Sequence, residues 1–450
     1  MRLLFVAAES APLVKVGGLG DVIGALPAAL RARGHDVRVV MPSYRGLDAP
    51  GAELLWSGRE RFVEQAVDVR VLAPTPTILL VECAEAFDRD QVYGEPDDGD
   101  RFALFARAVL AFLDEFEWKP EIVHAHDWHA ALVPILEHDT PTVLTIHNLA
   151  FQGWREGAFA RRESLELDDG GDGINLLGRG IASATAVTTV SPTYAHEICT
   201  PADGMGLHAT LRRRGVTGIV NGIDTDMFNP ATDRAIAEPY DVGRLAARGA
   251  NRTALLGRLG LADDERLPVL GAVTRLFGQK GMDLVLDAAP ALLQRGARLI
   301  VLGTGDPELE ERFRALAAAN PQTVAAVLDF DVVLAQQIYA GSDLFLMPSR
   351  FEPCGLGQLI AMRYGSIPLA RRTGGLADTV QPGQTGFLFD EATPGALVAA
   401  FDEAAKVFRS KPRWRALQTR AMLADHSWDV SAREYEALYE GLLEPPSPKA

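Results

Sequence analysis

Short runs of consecutive apolar and β-branched residues alternate with longer segments in which apolar positions recur every three or four residues. Residues 3–8 and 37–41 are the first two such runs, the signature of parallel strands covered on both faces. Between them, residues 21–33 carry a helical spacing, and Gly34 stands where a left-handed glycine ends a helix. Phe102, Phe105, Val109, Phe112 and Phe116 mark one face of a further helix bounded by Pro120. Strand-type runs follow at 122–126, 142–147, 186–191 and 217–221. A second series runs through 268–274, 299–303, 324–329, 344–347 and 366–370. The alternation predicts an α/β protein with two Rossmann-like, doubly wound domains and a ligand-binding cleft between them. Residues 224–252 lack a strand pattern and contain Pro230 and Pro239, so the domain junction is placed near the start of that stretch. No fixed-period repeat interrupts the pattern, and residues 444–450, with three prolines, predict a frayed end.

Composition narrows the partners. The 450 residues suit two or three domains at roughly 100–200 residues each. With 44 basic and 60 acidic residues the net charge is −16, which argues against a nucleic-acid-binding surface. An anionic ligand must then be met by a few locally placed cations. Cys83, Cys199 and Cys354 are odd in number and widely spaced, as in a reduced cytoplasmic chain rather than a disulfide framework. Glu9 cuts the first apolar run below signal-peptide length, and no run reaches the ~20 residues of a membrane span.

Several strand ends carry polar clusters. Lys15, Gly17, Gly18, Gly20 and Asp21 follow the first strand, but Gly18, Gly20 and Gly24 miss the dinucleotide-binding spacing by one. The loop either brings amides and Lys15 to a phosphate or sugar ahead of a helix, or carries a solvated lysine. His124, His126, Asp127 and His129 crowd the next strand end, and His147 with Asn148 the one after. A metal site there lacks a full ligand set, whereas a ligand crevice at adjacent strand ends fits. In the second series, Arg275 and Lys280 lie between a strand and a helix, where diphosphate oxygens are neutralised. Glu352-Pro353-Cys354-Gly355-Leu356-Gly357 and Arg371-Arg372-Thr373-Gly374-Gly375 are two more strand–loop–helix junctions. Each alone is matched by a surface cation or a carboxylate on a helix dipole; three together favour a site.

With these motifs the chain resembles the bacterial glycogen synthase family, retaining transferases that extend α-1,4-glucan from ADP-glucose. Lys15 to Val22 is similar to that family's K-T-G-G-L-A-D-V signature, with Val16 for Thr and Gly20 for Ala. Residues 124–128, 145–153 (T-I-H-N-L-A-F-Q-G), 190–194, 221–224, 349–356 (S-R-F-E-P-C-G-L) and 371–380 (R-R-T-G-G-L-A-D-T-V) follow in order. The resemblance spans essentially the whole chain. It implies the GT-B fold, two Rossmann-like domains facing across a deep cleft. Residues 1–225, with a returning segment at 426–443, would form the acceptor domain, and 226–425 the nucleotide-sugar domain.

The resemblance also implies roles. His147, Arg275, Lys280 and Glu352 would be catalytic: His147 beside the transferred glucose, Arg275 and Lys280 on the diphosphate, Glu352 on glucose hydroxyls or the transition state. Lys15, Gly17, Gly18, Asp21, Tyr93, Asp127, Asn148, Asn221, Phe330, Cys354, Gly355, Leu356, Gly357, Thr373, Gly374 and Gly375 would bind substrate. Phe330 takes the place of an adenine-stacking tyrosine, Gly357 that of a threonine, and Ile360 that of a second glutamate found in wider GT-B relatives. No cofactor and no metal are expected; the partners are ADP-glucose and α-1,4-glucan, and the oligomeric state is left open. With no second carboxylate placed as a nucleophile, same-face attack by the glucan 4-hydroxyl is favoured over double displacement. Three alternatives remain: a UDP-glucose-dependent enzyme, a maltose-1-phosphate-forming one, or a catalytically silent binding protein. Lys280 is expected to project into a wet cleft, so its removal should cost activity and little stability.

Overall fold

The computed structural model describes residues 1–47, 49–168 and 171–444; residues 445–450 of the expected frayed end lie outside the described residues. The chain divides into two compact units, one formed by Met1–Ile219 with the chain from Trp428 onward, the other by Val220–Ser427. The first break falls after Ile219 rather than after residue 225, because the segment that follows bonds into the second unit. There the Ile223 amide donates to the His426 carbonyl at 2.8 Å, and the Asn221 amide to the Cys354 sulfur.

Eleven strands of the first unit are β1 (Arg2–Val6), β2 (Asp36–Pro42), β3 (Glu53–Phe62), β4 (Gln65–Thr75), β5 (Ile78–Glu82), β6 (Ile122–His126), β7 (Thr142–Ile146), β8 (Trp154–Glu156), β9 (Gly173–Asn175), β10 (Ala186–Thr189) and β11 (Thr217–Gly218). Nine of them form one sheet in the order β11-β10-β7-β6-β1-β2-β5-β4-β3, while β8 and β9 pair separately. From β11 to β5 every pairing is parallel, and β6 and β7 are buried along their whole length. The two edge strands β3 and β4 are antiparallel, a hairpin that the sequence reading did not anticipate. The reason is visible in β4, where Val67, Val69 and Val71 point inward while Ala66, Asp68 and Arg70 are exposed. A one-faced strand alternates and never shows the continuous apolar run of its parallel neighbours.

The helix Gly18–Ala32 buries Leu19, Val22, Ile23, Leu26 and Leu30, spaced three and four apart, against Leu3, Phe5, Val37 and Val39. The same core takes in Trp428, Ala432, Tyr435 and Tyr439 of the helix Trp428–Leu443. Arg33 binds Glu436 and Asp429, and His35 meets Glu436 at 2.9 Å, fastening that helix over the first one.

The second unit holds β12 (Val269–Val273), β13 (Arg298–Leu302), β14 (Val324–Val327), β15 (Leu344–Met347), β16 (Ile367–Arg371) and β17 (Phe387–Phe389), all parallel in the order β14-β13-β12-β15-β16-β17. The parallel part of each sheet therefore reverses its strand order once, between β1 and β6 in the first unit and between β12 and β15 in the second. Loops leaving the carboxyl ends on either side of such a reversal part in opposite directions and leave a crevice.

Candidate active site

At the β1/β6 reversal the chain leaves β1 through Glu9, which is almost wholly buried. Its carboxylate accepts the amides of Val16, Gly17 (3.1 Å) and Gly20 and the Tyr93 hydroxyl (3.4 Å), so it shapes the glycine loop from within. Burial pushes the Glu9 pKa up, and the amide bonds oppose that shift. This corrects the expectation of free loop amides: those of Val16, Gly17 and Gly20 are already committed to an internal anion. Gly18, the first helical residue, remains sterically open. Lys15 pairs with Asp21 at 2.7 Å and is largely exposed, so its charge does not sit uncompensated at the helix start. Sequence reasoning treated Glu9 only as an interruption; a lone carboxylate directly after a buried strand was the available signal.

Across the reversal, Asp127 takes φ 55°, unusual for a residue with a side chain, and caps the short 3₁₀ turn Trp128–Ala130. Its Oδ1 accepts the His147 amide at 2.7 Å, the Asn148 amide also bonds to it, and burial pushes its pKa up to about 7. Asn148 turns its own Oδ1 onto the Ala150 amide at 3.0 Å. His126 Nδ1 and His147 Nε2 lie 3.0 Å apart. His129 packs between Tyr93 and Phe102, with centroids 4.8 Å from each. Burial holds all four rings neutral, lowering His129 and His147 to about 3 and His124 and His126 well below the ordinary value. His124 is not part of this crevice. Its Nδ1 meets the Tyr439 hydroxyl at 2.7 Å and its Nε2 meets Thr145 Oγ1 at 2.6 Å, tying the helix Trp428–Leu443 to the sheet.

At the β12/β15 reversal the loops after the two strands are laced together. The Arg350 amide donates to the Gln279 carbonyl at 2.8 Å, and the Arg350 guanidinium binds Asp283 through two contacts of 2.7 and 2.6 Å. Gly281 sits at φ +66°, and a Cβ there would lie 2.0 Å from the Pro348 carbonyl oxygen, so only glycine permits this approach. The turn Gly278–Lys280 thereby delivers Lys280 to Glu352. Its Nζ lies 2.9 and 2.7 Å from the two carboxylate oxygens, and Ser349 Oγ donates to Oε2 at 2.9 Å. Lys280 keeps 18% side-chain exposure and Glu352 6%, so Lys280 is a half-buried ion-pair partner rather than a side chain in open water. The expected projection of Lys280 into a wet cleft, on which the expectation of little stability cost rested, is corrected accordingly.

The other residues of this unit divide into committed and open groups. Arg275 is exposed, with its guanidinium 5.8 Å from the Phe277 ring centroid and no ion pair among the described residues. Arg371 donates to the Arg350 and Ser349 carbonyls and Arg372 to Asp390, so both serve the loop. A Cβ on Gly374 would lie 1.9 Å from the Glu352 carbonyl oxygen, and the Gly375 amide donates to that oxygen at 3.1 Å. Thr373 precedes this helical turn and is buried. Cys354 is buried with its pKa pushed up to about 12, which makes its thiol inert. Gly355 holds φ +76°, Leu356 caps the helix Gly357–Arg363, and a Cβ on Gly357 would press within 3.0 Å of the Phe345 ring. Asn221 Oδ1 is buried without a partner among the described residues. Phe330 is 85% exposed. Among the described residues no group of His, Cys, Asp and Glu is arranged to hold a metal ion.

Two crevices of this kind on two largely parallel sheets are the hallmark of GT-B glycosyltransferases, and comparison with known proteins places the chain in that class. Residues 2–213 match the family profile described as starch synthase catalytic domain, and residues 267–406 that of glycosyl transferases group 1. The chain is 44% identical to glycogen synthase of Gloeobacter violaceus, with 98% of this chain and 99% of the relative covered. It is 45% identical to glycogen synthase 2 of Agrobacterium fabrum, covering 98% and 93%. The catalytic domain of starch synthase IV from Arabidopsis thaliana, solved with ADP and acarbose, superposes with a TM-score of 0.89 at 35% identity, covering 98% of this chain and 99% of that one. Sucrose-phosphate synthase from Thermosynechococcus elongatus, at 18% identity and a TM-score of 0.65, shares the fold alone. The chain belongs to the bacterial glycogen synthase family.

Proposed function

We propose that the chain transfers glucose from ADP-glucose to the non-reducing end of an α-1,4-glucan with retention of configuration. The observation that carries this reading is the 44% identity to a glycogen synthase over nearly the full length of both chains. Breaking the glucosyl–phosphate bond builds positive charge on the sugar and negative charge on the leaving diphosphate. In our reading the Lys280 ammonium and the Arg275 guanidinium take the diphosphate, with amides of the Gly355–Gly357 and Thr373–Gly375 loops beside them. Lys280 has three donors and spends two of them on Glu352, so it can turn toward phosphate while Glu352 faces the sugar. Glu352 then opposes the positive charge growing at the anomeric centre. His147, Asp127, Asn148 and Tyr93 line the sugar and acceptor side, Lys15 and Asp21 with Gly17 and Gly18 form its edge, and Asn221 and Phe330 meet sugar and adenine. This assigns donor binding to the second unit and acceptor binding to the first.

No resident metal or cofactor enters the reading, which places the enzyme in the cytoplasm; none of the described helices is long and apolar enough to cross a membrane. The test is to supply purified protein with ADP-glucose or UDP-glucose plus glycogen, with and without EDTA, and to follow nucleotide release and glucan growth. ADP-glucose should give the higher kcat/KM, and chelation should leave turnover unchanged. Equal use of both donors defeats the nucleotide assignment, rescue by Mg²⁺ after chelation defeats the metal-free one, and no transfer from either donor defeats the whole reading.

A further inference from the structure

We propose that His126 is a positioning residue that fixes the tautomer of His147, so that His147 offers the site an Nδ1–H donor rather than a proton acceptor. The inference deepens the proposed function and rests on it for the identity of the ligand, a sugar oxygen. It starts from the 3.0 Å contact between His126 Nδ1 and His147 Nε2. Two neutral imidazoles can make that bond in two ways, with either ring donating.

The surroundings of His126 decide between them. Its other nitrogen, Nε2, is buried and has no partner among the described residues. If the proton sat on Nε2, a buried N–H would be orphaned; if it sits on Nδ1, only a lone pair goes unused. Orphaned buried N–H groups are the rarer and costlier case. His126 therefore donates from Nδ1. Its ring is held between neighbours, stacked on Phe5 with centroids 5.4 Å apart and planes at 24° and packed against His124 at 4.1 Å, which keeps Nδ1 on the His147 side.

The assignment then propagates. His147 Nε2 accepts, so the proton of His147 resides on Nδ1. That atom has no hydrogen-bond partner among the described residues and is not enclosed, which leaves it available to a ligand. The backbone supports the same pose, since the His147 amide is fixed on Asp127 Oδ1 at 2.7 Å. A fixed donor suits a hydroxyl or ring oxygen of a neutral sugar. A histidine free to switch tautomers would present donor and acceptor in alternation and lose orientation on half of its encounters.

The experiment reads the tautomer directly. The full-length protein carries nine histidines, few enough for ¹⁵N-histidine labelling and two-bond ¹⁵N–¹H correlation spectra, with the His147 signals identified by their loss in His147→Gln. In the wild type both His126 and His147 should be protonated on Nδ1. His126→Phe keeps the stacked ring and removes the donor, so His147 should shift toward the Nε2–H form. Its kcat should fall by roughly 10–100-fold, the usual range for losing a partner that orients a functional histidine, with a smaller change in donor KM. His126→Asn places an amide N–H near the position of Nδ1 and should restore both the tautomer and most of the turnover. A wild-type His147 protonated on Nε2 overturns the proposal, as does an unchanged His147 tautomer in His126→Phe. Should that variant not fold, the wild-type and His126→Asn spectra still decide. Because the spectrum needs no substrate, a protein inactive on every sugar nucleotide would sink the functional reading and leave this one standing or falling by itself.

Discussion

The two sheets reverse strand order in the same way yet furnish their crevices in opposite electrostatic styles. At β1/β6 charge is suppressed: His126, His129 and His147 are held neutral, Asp127 is raised to about 7, and Glu9 is enclosed by backbone amides. At β12/β15 charge is kept and balanced: Lys280 lies against Glu352, Arg350 against Asp283, and Arg275 stands open. Topology thus dictates where a site forms, and the residues at the strand ends dictate what it can hold. A neutral, donor-and-acceptor-rich crevice suits sugar hydroxyls, and a salt-bridged one with a spare cation suits a diphosphate.

The sharpest way to break this comparison is to discharge the second crevice. Lys280→Met should lower kcat by roughly 10²–10³-fold, the range seen when one charge-stabilising donor is lost. It should also destabilise the fold by up to about 3–5 kcal/mol, because the Glu352 carboxylate is left buried with Ser349 as its remaining side-chain donor among the described residues. Adding Glu352→Gln should return much of the stability and none of the turnover. Donor kinetics and urea titrations of both variants check this, and near-normal kcat in a folded Lys280→Met protein would show that the lysine serves structure alone.

Acidification probes the first crevice. Rings that are neutral when folded but free to protonate near pH 6.5 when unfolded make the unfolded chain bind more protons, so stability drains away as pH falls from 6.5 toward about 3. Asp127 and Glu9 act in the other direction. The Asp127 carboxyl holds its proton up to about 7 when folded against 3.8 unfolded, so it costs stability as pH rises through that window. Glu163 and Glu434 of the first unit are also raised by burial, but Glu121 and Glu436 are lowered by their partners and offset them. The four histidines therefore outweigh Asp127 and Glu9, and the second unit holds one histidine, His426. Hydrogen exchange at pH 8 and pH 5, corrected for intrinsic rates, should show the first unit losing protection before the second. The reverse order would contradict the contrast drawn between the crevices.

The smallest effect separates scaffold from site within the first unit. Tyr439→Phe removes the partner of His124 Nδ1 and should cost about 1–3 kcal/mol, the penalty for orphaning a buried polar atom. Donor and acceptor kinetics should stay as in the wild type. A large rise in acceptor KM would mean that His124 belongs to the crevice after all.

The parallel strands were legible because full burial writes an unbroken apolar run, as in residues 3–8 and 299–302. The β3–β4 hairpin was not, since a one-faced strand alternates Val67, Val69 and Val71 with exposed polar neighbours. Which residues stand at the strand ends could likewise be read along the chain. What each of them touches could not. Lys280 and Glu352 lie seventy-two positions apart, and their contact depends on Gly281 slipping beneath the Pro348 carbonyl. His124 and His126 look equivalent in sequence, and only the helix Trp428–Leu443 divides them into a tie-rod and a neighbour of His147. Glu9 announced itself only as a lone carboxylate after a buried strand, because most of its ligands are backbone amides, which leave no mark in the side-chain pattern.

The helix Trp428–Leu443 also sets an order of birth. Its partners Leu19, Leu26 and His124 are translated early, but the ribosome must complete all of Val220–Ser427 before the helix that covers them emerges. The second unit can therefore close while the first still shows an open apolar face and a bare His124. Seen from the ribosome, the domain begun first is the last to be finished, and throughout that interval it is the part of the nascent chain most in need of a chaperone.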